Sequence, residues 1–420
     1  MLDRKIAPPF SQSNSIDLPL PKIGKTSGGS DVLYFDLVKQ ALIKIEFIYE
    51  AGKWYEPIPG LSYFTAQMLE KGTGSKNSSY IAEIFDLYGT HVEIAPGFDY
   101  TTVSLYSLSE KLKDVLPLFL EMLQHPSFPE DELVLMKGIF SQNLKVNNEK
   151  NSYVAAKLIR RNIFGPHHPY GNTIEEADLE KINTGAMRQL FNNYFHPIQI
   201  YITGSLTTTQ FDFINTQLNG SKTVEQKNDS ISHPIAAGIK EEAQAKQDSV
   251  QTSIRMGKRS INKGHKDFSS LLFLNHILGG YFGSRLMKNI REEKGLTYGI
   301  YSSLSTFNKE SFFTIGADVN RENQEITVQE IRNELKQLRS EKIPDQELNI
   351  AKNHFIGSIQ LDMANPFSVV EKIKNIRLNH LDSTYYTSLL KEVSELTSTS
   401  LIGTAQQYLQ DQDLYLVKVG

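Results

Sequence analysis

The sequence predicts an α+β protein made of two tandem, similar halves, each a mainly antiparallel sheet with helices packed on one face. Three observations carry that expectation. The chain has 420 residues, too many for one ordinary hydrophobic core. It holds a weak internal repeat. Runs of strand length alternate with helical patterns throughout.

The repeat is clearest where Phe128-Pro129-Glu130-Asp131-Glu132-Leu133, followed by Lys137, is echoed by Ile343-Pro344-Asp345-Gln346-Glu347-Leu348 and Lys352. Both predict a turn into an amphipathic helix, with proline and acidic residues where the helix dipole favours them. Each follows another helical stretch, Lys111 to Leu123 and Glu325 to Leu338. A looser echo pairs Phe64, Met68 and Leu69 with Phe273, Ile277 and Leu278, in the same order along the chain. Between the halves, residues 219–249 are rich in Lys, Glu, Gln, Asn and Ser and lack apolar periodicity, as a linker does. The expected organisation is therefore an N-terminal half over 1–218, a linker over 219–249 and a C-terminal half over 250–420. Strands are expected at Val32 to Phe35, Leu42 to Tyr49, Thr101 to Leu108, Ile198 to Thr203, Val250 to Met256, Thr297 to Leu304 and Phe312 to Val319.

Composition narrows the function. A 40% hydrophobic and 22% charged chain of net charge -4 is globular and presents no broad basic surface, so nucleic acid and acidic membranes are not its expected partners. The absence of cysteine removes disulfides, thiolate metal sites and cysteine nucleophiles. MLDRKIAPPF places charges and prolines where a secretory leader needs an apolar run, and no segment reaches membrane-helix length, which points to a cytoplasmic chain. Of the ten histidines, no two lie three to five residues apart. His167 and His168 fall between Gly165-Pro166 and Pro169-Tyr170-Gly171, where a turn with exposed imidazoles is expected. His91 and Glu93 share one face of a strand, and two groups without a third make no metal site.

The segment Gly60-Leu61-Ser62-Tyr63-Phe64-Thr65-Ala66-Gln67-Met68-Leu69-Glu70-Lys71-Gly72-Thr73 places Leu61, Phe64, Met68 and Leu69 on one helical face and Tyr63, Ala66 and Gln67 on the other. The C-terminal half contains Leu278-Gly279-Gly280-Tyr281-Phe282-Gly283-Ser284-Arg285-Leu286, then Arg291-Glu292-Glu293-Lys294-Gly295-Leu296-Thr297-Tyr298. Together these resemble the insulinase/pitrilysin family of zinc peptidases, in particular its short bacterial and mitochondrial-processing-peptidase-like members. The resemblance spans the whole chain and implies two halves of the LuxS and processing-peptidase type.

In that family the first helix carries H-x-x-E-H. Here the frame Gly60, Leu61, Gly72 and Thr73 matches, but the histidines are replaced by Tyr63 and Gln67 and the glutamate that activates water by Ala66. The position aligned with the third ligand is Asn143. A catalytic zinc needs three protein ligands and an open position; a neutral amide and an un-ionised phenol are poor substitutes for imidazole, and alanine supplies no base. No metal or cofactor is expected in this chain, and no peptide hydrolysis by it alone.

Arg291 and Tyr298 are the candidate site residues. On the residues alone, Arg291 suits the C-terminal end of a short helix that Gly295 caps, and Tyr298 suits a half-buried strand position. The resemblance implies more: an Arg and a Tyr at this spacing reach across to the opposing zinc site and hold the substrate backbone or developing oxyanion. Gly279, Gly280 and Gly283 follow a helix rather than a strand, which favours close packing and a turn over a phosphate cradle. The implied role is the non-zinc subunit of a heterodimeric metallopeptidase acting on unfolded peptides. Its expected partner is a zinc-bearing homologue, with a possible homodimer when alone. A non-catalytic scaffold or peptide-binding protein is the alternative.

Overall fold

The computed structural model describes residues 16–219, 231–236 and 238–420. The opening residues 1–10, which carried the cytoplasmic expectation, and residues 220–230 of the expected linker lie outside the described residues.

The N-terminal half runs β1 (Lys22–Lys25), β2 (Asp31–Phe35), β3 (Leu42–Tyr49), α1 (Leu61–Gln67), α2 (Ser78–Leu87), β4 (His91–Pro96) and β5 (Thr101–Leu108). It continues through α3 (Leu112–Gln124), α4 (Glu130–Glu149), α5 (Asn151–Phe164), α6 (Glu176–Lys181), α7 (Thr184–Tyr194), β6 (Pro197–Gly204) and α8 (Thr208–Asn219). The C-terminal half runs β7 (Glu241–Gln244), β8 (Gln251–Ser260), α9 (Phe268–Asn275), β9 (Thr297–Thr306), β10 (Ser311–Asn320) and α10 (Gln324–Ser340). It closes with α11 (Asp345–Asp362), α12 (Pro366–Leu378), α13 (Tyr385–Glu395), α14 (Ser398–Tyr408) and β11 (Tyr415–Val419).

The two sheets repeat one topology. The six-stranded sheet has the order β1-β2-β6-β3-β5-β4 and the five-stranded sheet β7-β11-β8-β10-β9. Taking β2 to β6 onto β7 to β11 in chain order reproduces every neighbour. Each sheet has one parallel pair at the matching place, β2 with β6 and β7 with β11, and is otherwise antiparallel. The expected strands appear within a residue or two of their predicted starts. β7, however, lies inside the range expected to be linker, so the second sheet begins earlier than 250. Its sequence EEAQ is an exposed polar edge with no apolar alternation to announce it.

Each half packs its own helices on one face of its sheet. Ile43, Ile45, Phe47 and Tyr49 of β3 join residues of α1, α3 and α7 in one core, and Met256, Phe313 and Ile315 join residues of α9, α10 and α14 in the other. The opposite faces exchange helices. Val154, Leu158 and Ile159 of α5, an N-terminal helix, pack with Phe312, Val417 and Val419 of the second sheet. Val369, Val370 and Ile373 of α12, a C-terminal helix, pack with Leu33, Phe35, Ile48 and Tyr201 of the first. At about 1.5–3 kcal/mol for each fully buried large apolar side chain, this exchange holds the halves together.

Charge reinforces the α12 contact. Lys44 and Glu46, on the face of β3 under α12, are buried; Glu46 Oε1 lies 2.8 Å from Lys44 Nζ and 3.1 Å from Lys374 Nζ of α12. Burial opposes the charge on Lys44, but Glu46, with Glu371 and the Tyr106 hydroxyl adding to it, outweighs burial and holds the ammonium above the ordinary lysine range.

The tips of two hairpins also meet between the halves. Phe98 and Phe307 lie with ring centroids 4.5 Å apart. The Asp99 carboxylate accepts the Tyr170 hydroxyl on one oxygen and the Asn308 amide, at 2.9 Å, on the other. His168 corrects the expectation of an exposed turn: His167 is exposed, but His168 is 2% exposed, its ring stacked on Phe164 and edge-on to Trp54. Its Nδ1 accepts the Tyr170 amide at 3.1 Å, and burial, followed by His233 and Arg259, lowers its pKa to about 4. The turn is there, but it folds inward because the aromatic cluster between the halves covers it.

Candidate functional site

Two places need weighing: the helix α1 of the N-terminal half, and the Arg291/Tyr298 segment of the C-terminal half. At the first, the carboxylate of Glu56 accepts the Ser62 amide at 3.0 Å and the Ser62 hydroxyl at 2.7 Å, which fixes the start of α1. Gly60 turns into the helix with φ 91, and a Cβ there would meet Ile174 at 2.9 Å. Leu61, Phe64, Met68 and Leu69 face the core as expected, and Ala66 is buried with them.

The Tyr63 ring packs against Phe64 and against Phe140 of α4, at centroid distances of 5.5 and 5.3 Å. Burial raises its phenol pKa, so the phenolate is further out of reach. Gln67 Nε2 donates to the Ile94 carbonyl of β4 at 3.1 Å, and Asn143 lies exposed on α4. His91 and Glu93 are exposed on β4.

At the second place, α9 runs into a π-helical turn, His276–Gly280, and then the motif loop. Gly279 is required here: a Cβ would meet the Ser302 backbone nitrogen of β9 at 2.5 Å. This bears out close packing as the reason for that glycine. Arg285 forms a two-pronged ion pair with Glu347 of α11, at 2.7 and 3.0 Å, and is thereby a structural residue. A second π-helical segment, Met287–Glu293, buries Ile290 and ends at Gly295, whose φ of 62 reverses the chain.

The strand that follows is irregular where it begins. Ile300 pairs with Ala317 and Thr297 with Val319, so three steps on β9 stand against two on β10. The extra residue makes a bulge, held by the Thr297 hydroxyl donating to the Asp318 carbonyl at 2.7 Å. Tyr298 consequently projects outward and is 92% exposed, where a half-buried strand position is the plain sequence expectation.

Arg291 and Tyr298 are brought together. The guanidinium of Arg291 lies 5.3 Å from the Tyr298 ring centroid and 4.8 Å from that of Phe282, so it is held between two aromatic rings. Among the described residues it forms no ion pair. Phe282, itself 62% exposed, was missed as a functional candidate because its motif stands out for glycines rather than for its aromatic. The arrangement orients a planar fork of N–H donors beside a phenolic hydroxyl, both suited to carbonyl or carboxylate oxygen.

Two family models match in tandem: "Insulinase (Peptidase family M16)" over residues 41–178 and "Peptidase M16 inactive domain" over 181–355. This chain belongs to the peptidase M16 family. A relative from Bacillus subtilis, described as the uncharacterized zinc protease YmxG, is 26% identical over 369 residues, covering 86% of this chain and 88% of the relative. A Helicobacter pylori relative, described as the non-peptidase homolog YmxG, is 22% identical over 363 residues, covering 84% and 83%. Among solved structures, a peptidase M16 inactive domain from Pseudomonas fluorescens matches with a TM-score of 0.85 at 23% identity, covering 95% of this chain and 98% of that one. A Helicobacter pylori protease matches at 0.84 and 17% identity, covering 96% and 100%.

Zinc, which the Bacillus subtilis relative carries in its name, does not fit the M16 motif helix of this chain. Ala66 has no donor, the Gln67 amide is engaged with β4, and Tyr63 is wedged against Phe140 as a phenol. No group of three or more His, Cys, Asp and Glu able to hold a metal ion occurs among the described residues.

Proposed function

We propose that this M16 chain is the non-zinc subunit of a heterodimeric, cytoplasmic metallopeptidase that degrades unfolded peptides. It supplies Arg291 and Tyr298 to the active site of a zinc-bearing homologous partner. The observation that carries the reading is the Phe282–Arg291–Tyr298 stack: a guanidinium fixed between rings, with no ion pair among the described residues, beside a phenol that a bulge turns outward. Zinc belongs to the partner, through an interface of roughly 2,000 Å² or more, and the chain alone forms at most a weak homodimer.

The test is kcat/KM of the reconstituted pair on an unstructured peptide. Tyr298→Phe deletes one hydroxyl and Arg291→Lys keeps charge while losing the fork; each is expected to lower kcat/KM by about 100- to 1,000-fold, the usual cost of one preorganised donor. Gel filtration confirms that the variants still assemble. Full activity of a Tyr298→Phe/Arg291→Ala pair would refute the role. The second reading, a non-catalytic scaffold or peptide-binding protein, draws support from the relative described as a non-peptidase homolog.

A further inference from the structure

A cavity of about 340 Å³ opens in the N-terminal half between the turn after β3, the start of α1 and the helix α7. Its walls are mainly aromatic and aliphatic. Tyr55 of the turn and Tyr194 of α7 stand with ring centroids 5.1 Å apart, and Leu61 and Leu190 line it from α1 and α7. Trp54 lines it too, its ring set at 85° to that of His233, 4.6 Å away, and its carbonyl accepting His233 Nε2 at 2.9 Å. That volume is at the small end of the range for ligand sites, and apolar walls with a few placed polar groups are their usual make-up.

The walls carry one carboxylate, Glu56, and no lysine or arginine among the described residues. Glu56 Oε2 accepts the Ser62 amide and hydroxyl, whereas Oε1 is buried and has no hydrogen-bond partner among the described residues. Lys53 attracts the carboxylate without forming an ion pair with it: the ammonium donates to the Asn172 carbonyl and lies over the Phe98 ring. We propose that this cavity takes the side chain of a basic peptide residue, an ammonium or guanidinium on an aliphatic stem, with the cation at Glu56 and the stem against Leu61, Leu190 and the tyrosine rings.

Three features of the cavity select that ligand. A buried acceptor without a partner is costly, and a ligand that brings the missing donor recovers the cost on binding. Aromatic rings attract a cation, and long basic side chains lay their stems along apolar surface. An anionic ligand would face Glu56 with no lysine or arginine in the walls to hold it, and a neutral apolar one would fill the space but leave Oε1 unpaired. Burial holds the Glu56 carboxyl above its ordinary range, an effect that Ser62, Gly60 and Lys53 offset only in part, and a bound cation would add to that offset.

Trp54 is the only tryptophan of the chain and lines the cavity, so its fluorescence reports occupation. The experiment titrates the chain, at constant ionic strength, with Nα-acetyl-arginine amide, Nα-acetyl-lysine amide, agmatine as a free cation, and Nα-acetyl-norleucine amide as a neutral counterpart. A saturable response to at least one of the two basic amides is expected, with the norleucine amide about tenfold weaker or more. Glu56→Gln keeps an acceptor for Ser62 and loses the charge, and Gln189→Lys brings a rival cation to the exposed side of α7 without touching the start of α1. Each should weaken the better basic amide by about tenfold or more, with circular dichroism confirming that both variants fold. Absence of a saturable response in the wild type, a norleucine amide that binds as tightly, or unchanged affinity in Gln189→Lys would overturn the inference and leave Glu56 only its work at the start of α1. Agmatine binding more tightly than either amide would overturn the assignment to a peptide residue.

Discussion

Removing the carboxylate of Glu46 should loosen the grip of α12 on the first sheet. Its side chain is 2% exposed and lies between two ammonium groups, Lys44 and Lys374, whose side chains are 8% and 12% exposed. Glu371 also faces them, at 3.5 Å from Lys44 and 2.6 Å from Lys374, but its side chain is 47% exposed and its attraction is screened by water. Glu46→Ala therefore leaves two nearly buried cations without their buried partner. Breaking a buried pair in this way costs about 3–5 kcal/mol, because the charge left behind has lost both water and counter-ion. The simultaneous replacement Lys44→Met, Glu46→Leu and Lys374→Met removes all three charges and should be neutral or stabilising by about 1–4 kcal/mol. Urea unfolding measures both, with far-UV circular dichroism beside the fluorescence of Trp54, the single tryptophan, which sits in the cluster between the halves. Coincident transitions by the two probes license the free energies. A Glu46→Ala variant within about 1 kcal/mol of wild type, the scale of an exposed pair, would refute the reasoning.

Tyr170→Phe deletes the hydroxyl that donates to Asp99, leaving that buried carboxylate with the Asn308 amide; a loss of about 1.5–3 kcal/mol is expected in the same urea assay, and an unchanged midpoint would show that water takes the hydroxyl's place. The pH dependence follows from His168 and His276, whose folded pKa values of about 4 lie below the roughly 6.5 of an unfolded chain. The unfolded chain then binds more protons between those limits, so stability held above about pH 6.5 is lost as pH falls toward 4. His168→Gln should show a shallower decline of Tm over that window, and a parallel decline would exclude His168 as a source.

Much of this fold is legible in the sequence because its signals are local. The apolar run of β3, the Pro and acidic starts of α4 and α11 and the left-handed turn at Gly295 each depend on neighbours a few residues away. What escapes is what a distant element covers. Alternation in Leu42–Tyr49 sets Lys44, Glu46 and Ile48 on one face, which by composition belongs to solvent; α12, more than 300 residues on, buries it. Nothing in α5 or α12 says that either crosses to the other half's sheet, since an apolar stripe records that a face is covered and not by what. His168 was misjudged for the same reason, and the pairing of His276 with His354 has no expression in sequence spacing.

The candidate site divides along a similar line. Frame positions of the motif helix have structural work: Gly60 turns the chain over Ile174, Leu61 fills the core, and Thr73 holds Glu121 at 2.7 Å and the Lys76 carbonyl at 2.8 Å. They are needed to seat α1 whether or not a metal is bound, which is why a zinc-family frame can stand around residues that cannot hold zinc. Gly279 and Arg285 do the same for the second half. Phe282, Arg291 and Tyr298 are different. A tyrosine 92% exposed on a bulge buries almost no apolar area, and a cation held between exposed rings gains about 0.5–1 kcal/mol at such a site. Folding gains little from an aromatic group so placed, and that is what supports the role proposed for it with Arg291. In the proposed role, the oxygen-seeking donors gathered there would engage the carbonyl oxygens of a peptide backbone.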